Sequence, residues 1–180
     1  IYSLFLVNKY LQRTFFRDML LEEIQEKFIL AAPDAGAIKR TLKFGKIMSL
    51  DSVFCHKQRN YQVKNTIDKM ILVGNPKLIE NKHVIILDDM VDTGGTLVKC
   101  VDLLLESGAK EVSCVVTHGI LSGPAIERIN ASRLTKLIVS NSLPQTSKCD
   151  KIKTFDISEL LSNIILRLIT GESISKLFKG

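Results

Sequence analysis

A nine-residue segment near the middle of the chain, DDMVDTGGT (88–96), combines three acidic side chains with two adjacent glycines and two threonines. The glycines let the backbone approach a ligand closely, and the amide N–H groups at the start of a following helix suit a phosphate. The threonine hydroxyls can donate to the same phosphate. Carboxylates accept hydrogen bonds from vicinal hydroxyls or bind Mg²⁺ through oxygen. The segment therefore predicts a ligand with a phosphate at one end and a diol at the other, such as a pentose phosphate.

A purely structural interpretation of the segment is also open. Asp88 and Asp89 could cap a turn, and the glycines could simply tighten that turn. Two neighbouring acids directly after an apolar strand are costly without a partner, which favours a functional interpretation. The segment matches neither GxGxxG nor GxxxxGK[ST], so a dinucleotide site and a P-loop are not expected.

The elements around this segment alternate between strand and helix. HVIILD (83–88) contains four consecutive branched apolar residues, typical of a strand that is buried on both faces. The pattern predicts further strands at 28–32, 52–55, 70–73, 112–117, 137–140 and 152–155, and helices at 7–28, 37–48, 96–107, 123–130 and 158–170. Between them, the polar stretch 56–68 predicts a long loop. This order predicts an α/β fold with a mostly parallel twisted sheet and helices on both faces.

Composition excludes several classes of protein. The chain has 180 residues, 46% apolar and 24% charged, which is typical of one globular domain and not of disorder. No apolar run reaches the ~18 residues of a membrane span, and the net charge of +6 is spread without a basic tail, so neither a membrane nor a nucleic acid is expected as a partner. The four cysteines form no CxxC pair, which predicts reduced, inert thiols and a cytoplasmic location. The first residue is Ile1, and we expect a fragment of a longer protein.

The segment and five further blocks resemble known families. Residues 84–96 are similar to the phosphoribosyl diphosphate (PRPP) binding signature of type I phosphoribosyltransferases. The other blocks resemble ribose-phosphate pyrophosphokinases in the same order: APDAG (32–36) with Lys39 and Arg40, HKQR (56–59), THGILSGPAIER (117–128), SNSLP (140–144) and GESISKLF (171–178). The likeness runs from residue 29 to residue 178.

The resemblance implies transfer of the diphosphoryl group of MgATP to the 1-hydroxyl of ribose 5-phosphate, which gives PRPP and AMP. Enzymes of this family have two similar domains, and residues 1–180 resemble the C-terminal one, with residues 1–27 as a loosely matched helical lead-in. The isolated chain is therefore expected to bind ribose 5-phosphate but to be inactive alone. The resemblance also implies a homo-oligomer, Mg²⁺ as cofactor, and phosphate or ADP as regulators.

The resemblance also assigns roles to individual residues. Binding of ribose 5-phosphate falls to Asp88, Asp89, Asp92, Thr93, Gly94, Gly95 and Thr96, with the last four around the 5-phosphate. Asp34 is expected to place Mg²⁺. Lys57 and Arg59 match a flexible catalytic loop. Ser173 and Ser175 match a regulatory phosphate site, and simple packing of the C-terminal segment is an equal alternative.

The chain departs from the family pattern at Ala37, Gln58 and Lys176, where a glycine, an arginine and an aromatic residue are common. Gln58 lowers the charge of the catalytic loop. Two other functions stay open at this point. One is a catalytically inactive regulatory homologue. The other is a phosphoribosyltransferase that consumes PRPP, for which no base-binding hood is evident.

Overall fold

The computed structural model describes residues 3–58, 69–145 and 148–178. The strands are β1 (Phe28–Ala32), β2 (Ser52–Gln58), β3 (Lys69–Val73), β4 (His83–Val91), β5 (Glu111–Gly119), β6 (Lys136–Ser140) and β7 (Ile152–Phe155). The helices are α1 (Ser3–Thr14), α2 (Leu21–Lys27), α3 (Ile38–Met48), α4 (Gly95–Glu106), α5 (Ala125–Ala131) and α6 (Ser158–Thr170), with 3-10 turns at Pro76–Ile79 and Ile174–Phe178.

The seven strands form one sheet in the order β3-β2-β1-β4-β5-β6-β7. Every neighbouring pair is parallel except β2 and β3, which form an antiparallel hairpin. The chain proceeds from β1 outward to β2, then crosses back to place β4 on the other side of β1. Such a reversal leaves a crevice at the carboxyl ends of β1 and β4, where open α/β sheets bind their ligands. The predicted fold class is confirmed.

Each face of the sheet carries its own apolar core, and β4 contributes to both. Val84 and Ile86 join the core beneath α4 and α5. Ile85 and Leu87 join the core beneath α1, α2 and α3. All four side chains are buried. Because side chains alternate along a strand, the run of four branched residues indicates a strand that is covered on both sides.

Three predicted elements have boundaries that differ from the structure by more than two residues. The helix expected over 7–28 is two helices, because Phe16 turns inward to pack edge-on against Phe28 and Asp18 takes a left-handed backbone conformation. The loop expected from residue 56 starts later, since residues 56–58 continue β2 and pair with β3. β4 extends through Val91, because its last residues pair with β5. The acidic pair is thus part of a strand.

The cysteines are free thiols. Contact with Cys55 and burial raise the pKa of the Cys100 thiol well above its usual range, and burial does the same for Cys114. A thiol held protonated is a poor nucleophile, which agrees with the expected inert thiols. In the described part of the chain, no helix has the length and apolar character needed to cross a membrane.

Gly45 in α3 packs directly against the backbone that leads into β2. A methyl group at this position would lie 2.7 Å from the Leu50 carbonyl oxygen and 3.0 Å from the Ser52 hydroxyl. Alanine would add about 1 kcal/mol of helix propensity. We expect the clash to outweigh this gain, because backbone cannot move away as a flexible side chain can, so that Gly45→Ala lowers the free energy of unfolding by about 1–2 kcal/mol.

Urea denaturation of the wild type and Gly45→Ala measures this difference. Lys46→Ala, at an exposed position of the same helix, is the control and should change stability by less than about 0.5 kcal/mol. A Gly45→Ala protein with an equal or higher midpoint would show that α3 can move away from β2.

Candidate functional site

The crevice between β1 and β4 is a cavity of about 390 Å³. The segment after β1 supplies Asp34, and α3 supplies Arg40. The end of β4 and the loop into α4 supply the rest. The cavity is lined by every residue that the sequence assigned to ribose 5-phosphate or to Mg²⁺: Asp34, Asp88, Asp89, Asp92, Thr93, Gly94, Gly95 and Thr96. The structure therefore brings these eight residues together, while their roles stay predictions.

The loop 93–96 presents backbone donors at the start of α4. Gly94 is the N-cap of α4, with φ of 74°, and no side-chain hydrogen bond caps this end of the helix. A residue with a Cβ would be strained at this φ, which explains the glycine. The amides of the first turn of a helix have no partner within the helix, so they can donate to an anion. The loop thus has the geometry expected of a phosphate site.

Arg40 bridges the two adjacent acids of β4. Its guanidinium donates to Asp88 Oδ1 at 2.9 Å and to Asp89 Oδ2 at 3.0 Å. The side chains of Arg40 and Asp88 are only 22% and 21% exposed, so water screens this pair weakly. Arg40 was not among the predicted site residues. Its position four residues after the APDAG motif, which it accompanies in the family resemblance, was the available signal, but only the adjacency of β1 and β4 shows which acids it meets.

The two acids titrate in opposite directions. Burial raises the pKa of Asp88 to about 6, and the charges of Asp34 and Asp89 add to this, against the lowering by the Asp89 amide and Arg40. Burial also acts to raise the pKa of Asp89, but the charge of Arg40 holds it below its usual range. Near neutral pH both acids are therefore anionic, and Asp88 is the one that is costly to ionise.

This shift makes stability depend on pH in a defined window. Between about pH 4 and about pH 6, Asp88 stays protonated in the folded state but ionises in the unfolded state, so its contribution to stability falls as pH rises. We expect Asp88→Asn to gain stability relative to wild type over that window, by on the order of 1–3 kcal/mol, with a constant difference above it.

Denaturation of both proteins at several pH values tests this expectation. His83 also makes stability depend on pH. Burial lowers the pKa of His83, so its contribution to stability rises with pH. It is present in both proteins, and its effect cancels in the difference. Asp89, with its lowered pKa, acts at lower pH. A difference that does not change with pH would contradict the burial of Asp88 as a costly acid.

The other two acids of the cavity are also held in place. The Ser122 hydroxyl, from the segment after β5, donates to Asp92 Oδ1. The Ala37 amide donates to Asp34 Oδ1 at 3.1 Å. Over residues 3–58, 69–145 and 148–178, no three His, Cys, Asp or Glu side chains are grouped as a metal cage would require.

Lys57 lies on β2 opposite Met70 and is half-buried. The prediction that it belongs to a loop was wrong, because the hairpin with β3 extends past it. It borders a second cavity, of about 460 Å³, and is not among the residues that line the first. Arg59 lies outside the described residues. The structure therefore places Lys57 at the second cavity and not among the acids, while the catalytic roles of Lys57 and Arg59 stay predictions.

The two serines near the C-terminus contact each other, with 2.8 Å between their hydroxyl oxygens. Arg167 of α6 donates to the carbonyl of Ser173 at 3.1 Å and pairs with Glu172. Neither Ser173 nor Ser175 borders either cavity. Their assignment to a regulatory phosphate stays a prediction.

The sheet order, and the cavity at the point between β1 and β4 where that order reverses, define a phosphoribosyltransferase-like domain. Adenine phosphoribosyltransferase from Giardia lamblia, solved with 9-deazaadenine, has a similar fold: the TM-score is 0.54 at 14% identity, over 86% of this chain and 79% of that one. Residues 31–179 match the family described as the phosphoribosyl synthetase-associated domain, and the chain belongs to that family.

Curated relatives agree with this family. The chain is 42% identical over 153 residues to ribose-phosphate pyrophosphokinase A of Dictyostelium discoideum. It is 44% identical over 155 residues to ribose-phosphate pyrophosphokinase 3 of Saccharomyces cerevisiae. These alignments include 83% and 84% of this chain but 47% of each relative, so the chain spans about half the length of the curated relatives it matches.

A solved structure from the same group is also similar. Phosphoribosylpyrophosphate synthetase from Mycobacterium smegmatis superposes with a TM-score of 0.78 at 28% identity, over 94% of this chain and 51% of that one. The resemblance to ribose-phosphate pyrophosphokinases that the sequence motifs indicated is confirmed.

Proposed function

We propose that this chain is the ribose 5-phosphate-binding half of a ribose-phosphate diphosphokinase. The observation that carries the proposal is the first cavity, in which four carboxylates face a loop with free helix N–H donors. In the proposed reaction the 1-hydroxyl of ribose 5-phosphate attacks the β-phosphorus of MgATP. A new O–P bond forms, the bond to the AMP oxygen breaks, and the hydroxyl proton is released. The products are PRPP and AMP.

Each side of the cavity has a role in this proposal. The amides and hydroxyls of residues 93–96 would hold the 5-phosphate, since the start of α4 favours an anion. Asp88, Asp89 and Asp92 would accept hydrogen bonds from the ribose hydroxyls, which orients the 1-hydroxyl for attack. Arg40 forms an ion pair with each of Asp88 and Asp89. Its positive charge reduces the repulsion between the two carboxylates and holds both side chains in position.

The carboxylates also suit the proposed cofactor, Mg²⁺. Magnesium in proteins is commonly held by one or two carboxylates together with substrate phosphates, and it does not need a cage of protein ligands. Asp34, with one of the β4 acids, offers such oxygen ligands. When bound, the ion would neutralise charge on the diphosphoryl group.

The rest of the enzyme is part of the proposal as well. The match to about half of each relative supports a longer two-domain protein, in which this chain is the C-terminal half and the other half completes the ATP site. We also propose a homo-oligomer, regulation by phosphate or ADP near Ser173 and Ser175, and a cytoplasmic location, which the free thiols support.

Calorimetric titration of the 180-residue chain with three ligands in the presence of Mg²⁺ tests the proposal. Ribose 5-phosphate should bind, whereas 2-deoxyribose 5-phosphate lacks the vicinal diol and ribose lacks the phosphate, so each should bind about tenfold more weakly or worse. Equal binding of the 2-deoxy sugar would contradict the role of the acids. Formation of AMP from ATP by the chain alone would contradict its assignment as one half of the enzyme.

A further inference from the structure

The THGILSGPAIER block (117–128) lies outside the first cavity, because none of its residues lines that cavity. Its second half packs against the loop before α4 instead. A methyl group on Gly94 would lie 3.7 Å from the backbone of Ala125. The Ser122 hydroxyl donates to Asp92, at the start of the loop. This half of the block therefore supports the loop from outside the first cavity.

Arg128 of α5 contacts the loop most directly. Its Nη1 donates to the Thr93 carbonyl oxygen at 3.0 Å. A methyl group on Gly95 would lie 3.5 Å from the same nitrogen, so the guanidinium rests against the first residue of α4. Arg128 therefore contacts the loop on both sides of Gly94.

The hydrogen bond from Arg128 fixes the direction of one N–H donor of the loop. The Thr93 carbonyl and the Gly94 N–H belong to the same peptide unit, which is trans. In a planar trans peptide unit the C=O and the N–H point in opposite directions. Because the carbonyl oxygen points towards Arg128, which does not line the first cavity, the Gly94 N–H points away from Arg128.

The local sequence leaves this peptide unit free to rotate. Gly94 has φ of 74°, and glycine adopts positive and negative φ about equally readily. Rotation would exchange the directions of the N–H and the carbonyl oxygen, and that oxygen would repel a phosphate. The next peptide unit is held by the helix itself, because the Gly94 carbonyl accepts a hydrogen bond from the Val98 amide at 3.0 Å.

We propose that Arg128 is a positioning residue for the 5-phosphate: it holds the Thr93 carbonyl so that the Gly94 N–H is available in the first cavity. This inference rests on the proposed function, in which the loop binds that phosphate. Arg128 acts through the loop and does not need to touch the ligand. Without its guanidinium, only a fraction of molecules has the peptide unit in the competent orientation, and the apparent affinity falls by that fraction.

NMR titration of the 15N-labelled 180-residue chain tests the proposal, with ribose 5-phosphate and with inorganic phosphate as ligands. Arg128→Ala changes an exposed helical position, so the fold should be kept. Both ligands should bind about five- to twentyfold more weakly. The Gly94 amide signal should differ from that of wild type in the free variant, because two orientations of the peptide unit are populated. At saturation the ligand selects one orientation, and the difference should shrink.

Arg133→Ala is the matched control. Arg133 is also an exposed arginine that joins the end of α5 to α4, but it donates to Asp102 at 3.0 Å and borders neither cavity. Its loss should weaken binding less than about twofold. A comparison at about 0.05 M and about 0.5 M salt separates positioning from charge, because salt screens a distant attraction but does not release a peptide unit. The ratio of the affinities of wild type and Arg128→Ala should therefore persist at high salt.

Three results would overturn the proposal. The first is an equal loss of affinity in Arg128→Ala and Arg133→Ala. The second is a ratio of affinities that falls to one at the higher salt concentration, which would mean an effect of charge alone. The third is a Gly94 amide signal that is the same in free Arg128→Ala and free wild type. Failure of the proposed function gives a different result: wild type would bind inorganic phosphate but not ribose 5-phosphate, and the loss of phosphate affinity in Arg128→Ala would still support the role of Arg128.

Discussion

In the full-length protein, Lys57→Ala is expected to lower kcat by about 10²–10³-fold while changing KM for ribose 5-phosphate little. Diphosphoryl transfer moves negative charge across the transferred phosphorus, and a cation that acts only on the transition state affects kcat alone. Because Lys57 lies on β2, its substitution by alanine should not disturb the local backbone. Its backbone pairs with Met70 on β3, and alanine leaves this pairing intact.

The matched control is Lys69→Ala, an exposed lysine on the other strand of the same hairpin. It should leave both constants near wild type. If kcat of the Lys57→Ala enzyme is within about twofold of wild type, the activation free energy has changed by less than about one kcal/mol. That result would remove Lys57 from the catalytic residues. A raised KM with unchanged kcat would instead identify Lys57 as a residue that binds the substrate in the ground state.

Asp88→Asn and Asp92→Asn are each expected to weaken ribose 5-phosphate binding about ten- to hundredfold. A hydrogen bond from a ligand hydroxyl to a charged acceptor contributes about 1.5–3 kcal/mol, and asparagine removes the charge while it keeps the shape. The fold should survive both changes. Asp88 is costly to ionise where it lies, and Asp92 is exposed.

Calorimetric titration with ribose 5-phosphate at neutral pH measures both affinities. Asp102→Asn is the control, because Asp102 lies on α4, pairs with Arg133 and borders neither cavity. Its affinity should match that of wild type. Unchanged affinity in both Asp88→Asn and Asp92→Asn would refute the assignment of these acids to the sugar.

The features that the sequence predicted correctly depend on neighbours along the chain. The run of branched residues in β4 alternates between two cores, so burial on both faces was readable from four consecutive positions. The turn at 93–96 is built from its own backbone and the start of α4, so two glycines and their spacing were enough to predict its geometry, while its role as a phosphate site stays a prediction. The acids and this loop share one cavity because β4 runs directly into α4.

What the tertiary structure decided are contacts between segments that are distant in sequence. Arg40 meets Asp88 and Asp89 only because β4 lies beside β1 in the sheet, and the order of strands is not encoded in any local pattern. Lys57 is on a strand because β3 pairs with it, and a polar sequence alone does not show that its backbone has a partner. The second cavity arises in the same way, since the β2–β3 hairpin, α4 and α5 each supply one of its cations. Side-chain types indicate which chemistry is available, but the sheet order determines which charges face the same space, because electrostatic interactions depend on distance in space and not along the chain.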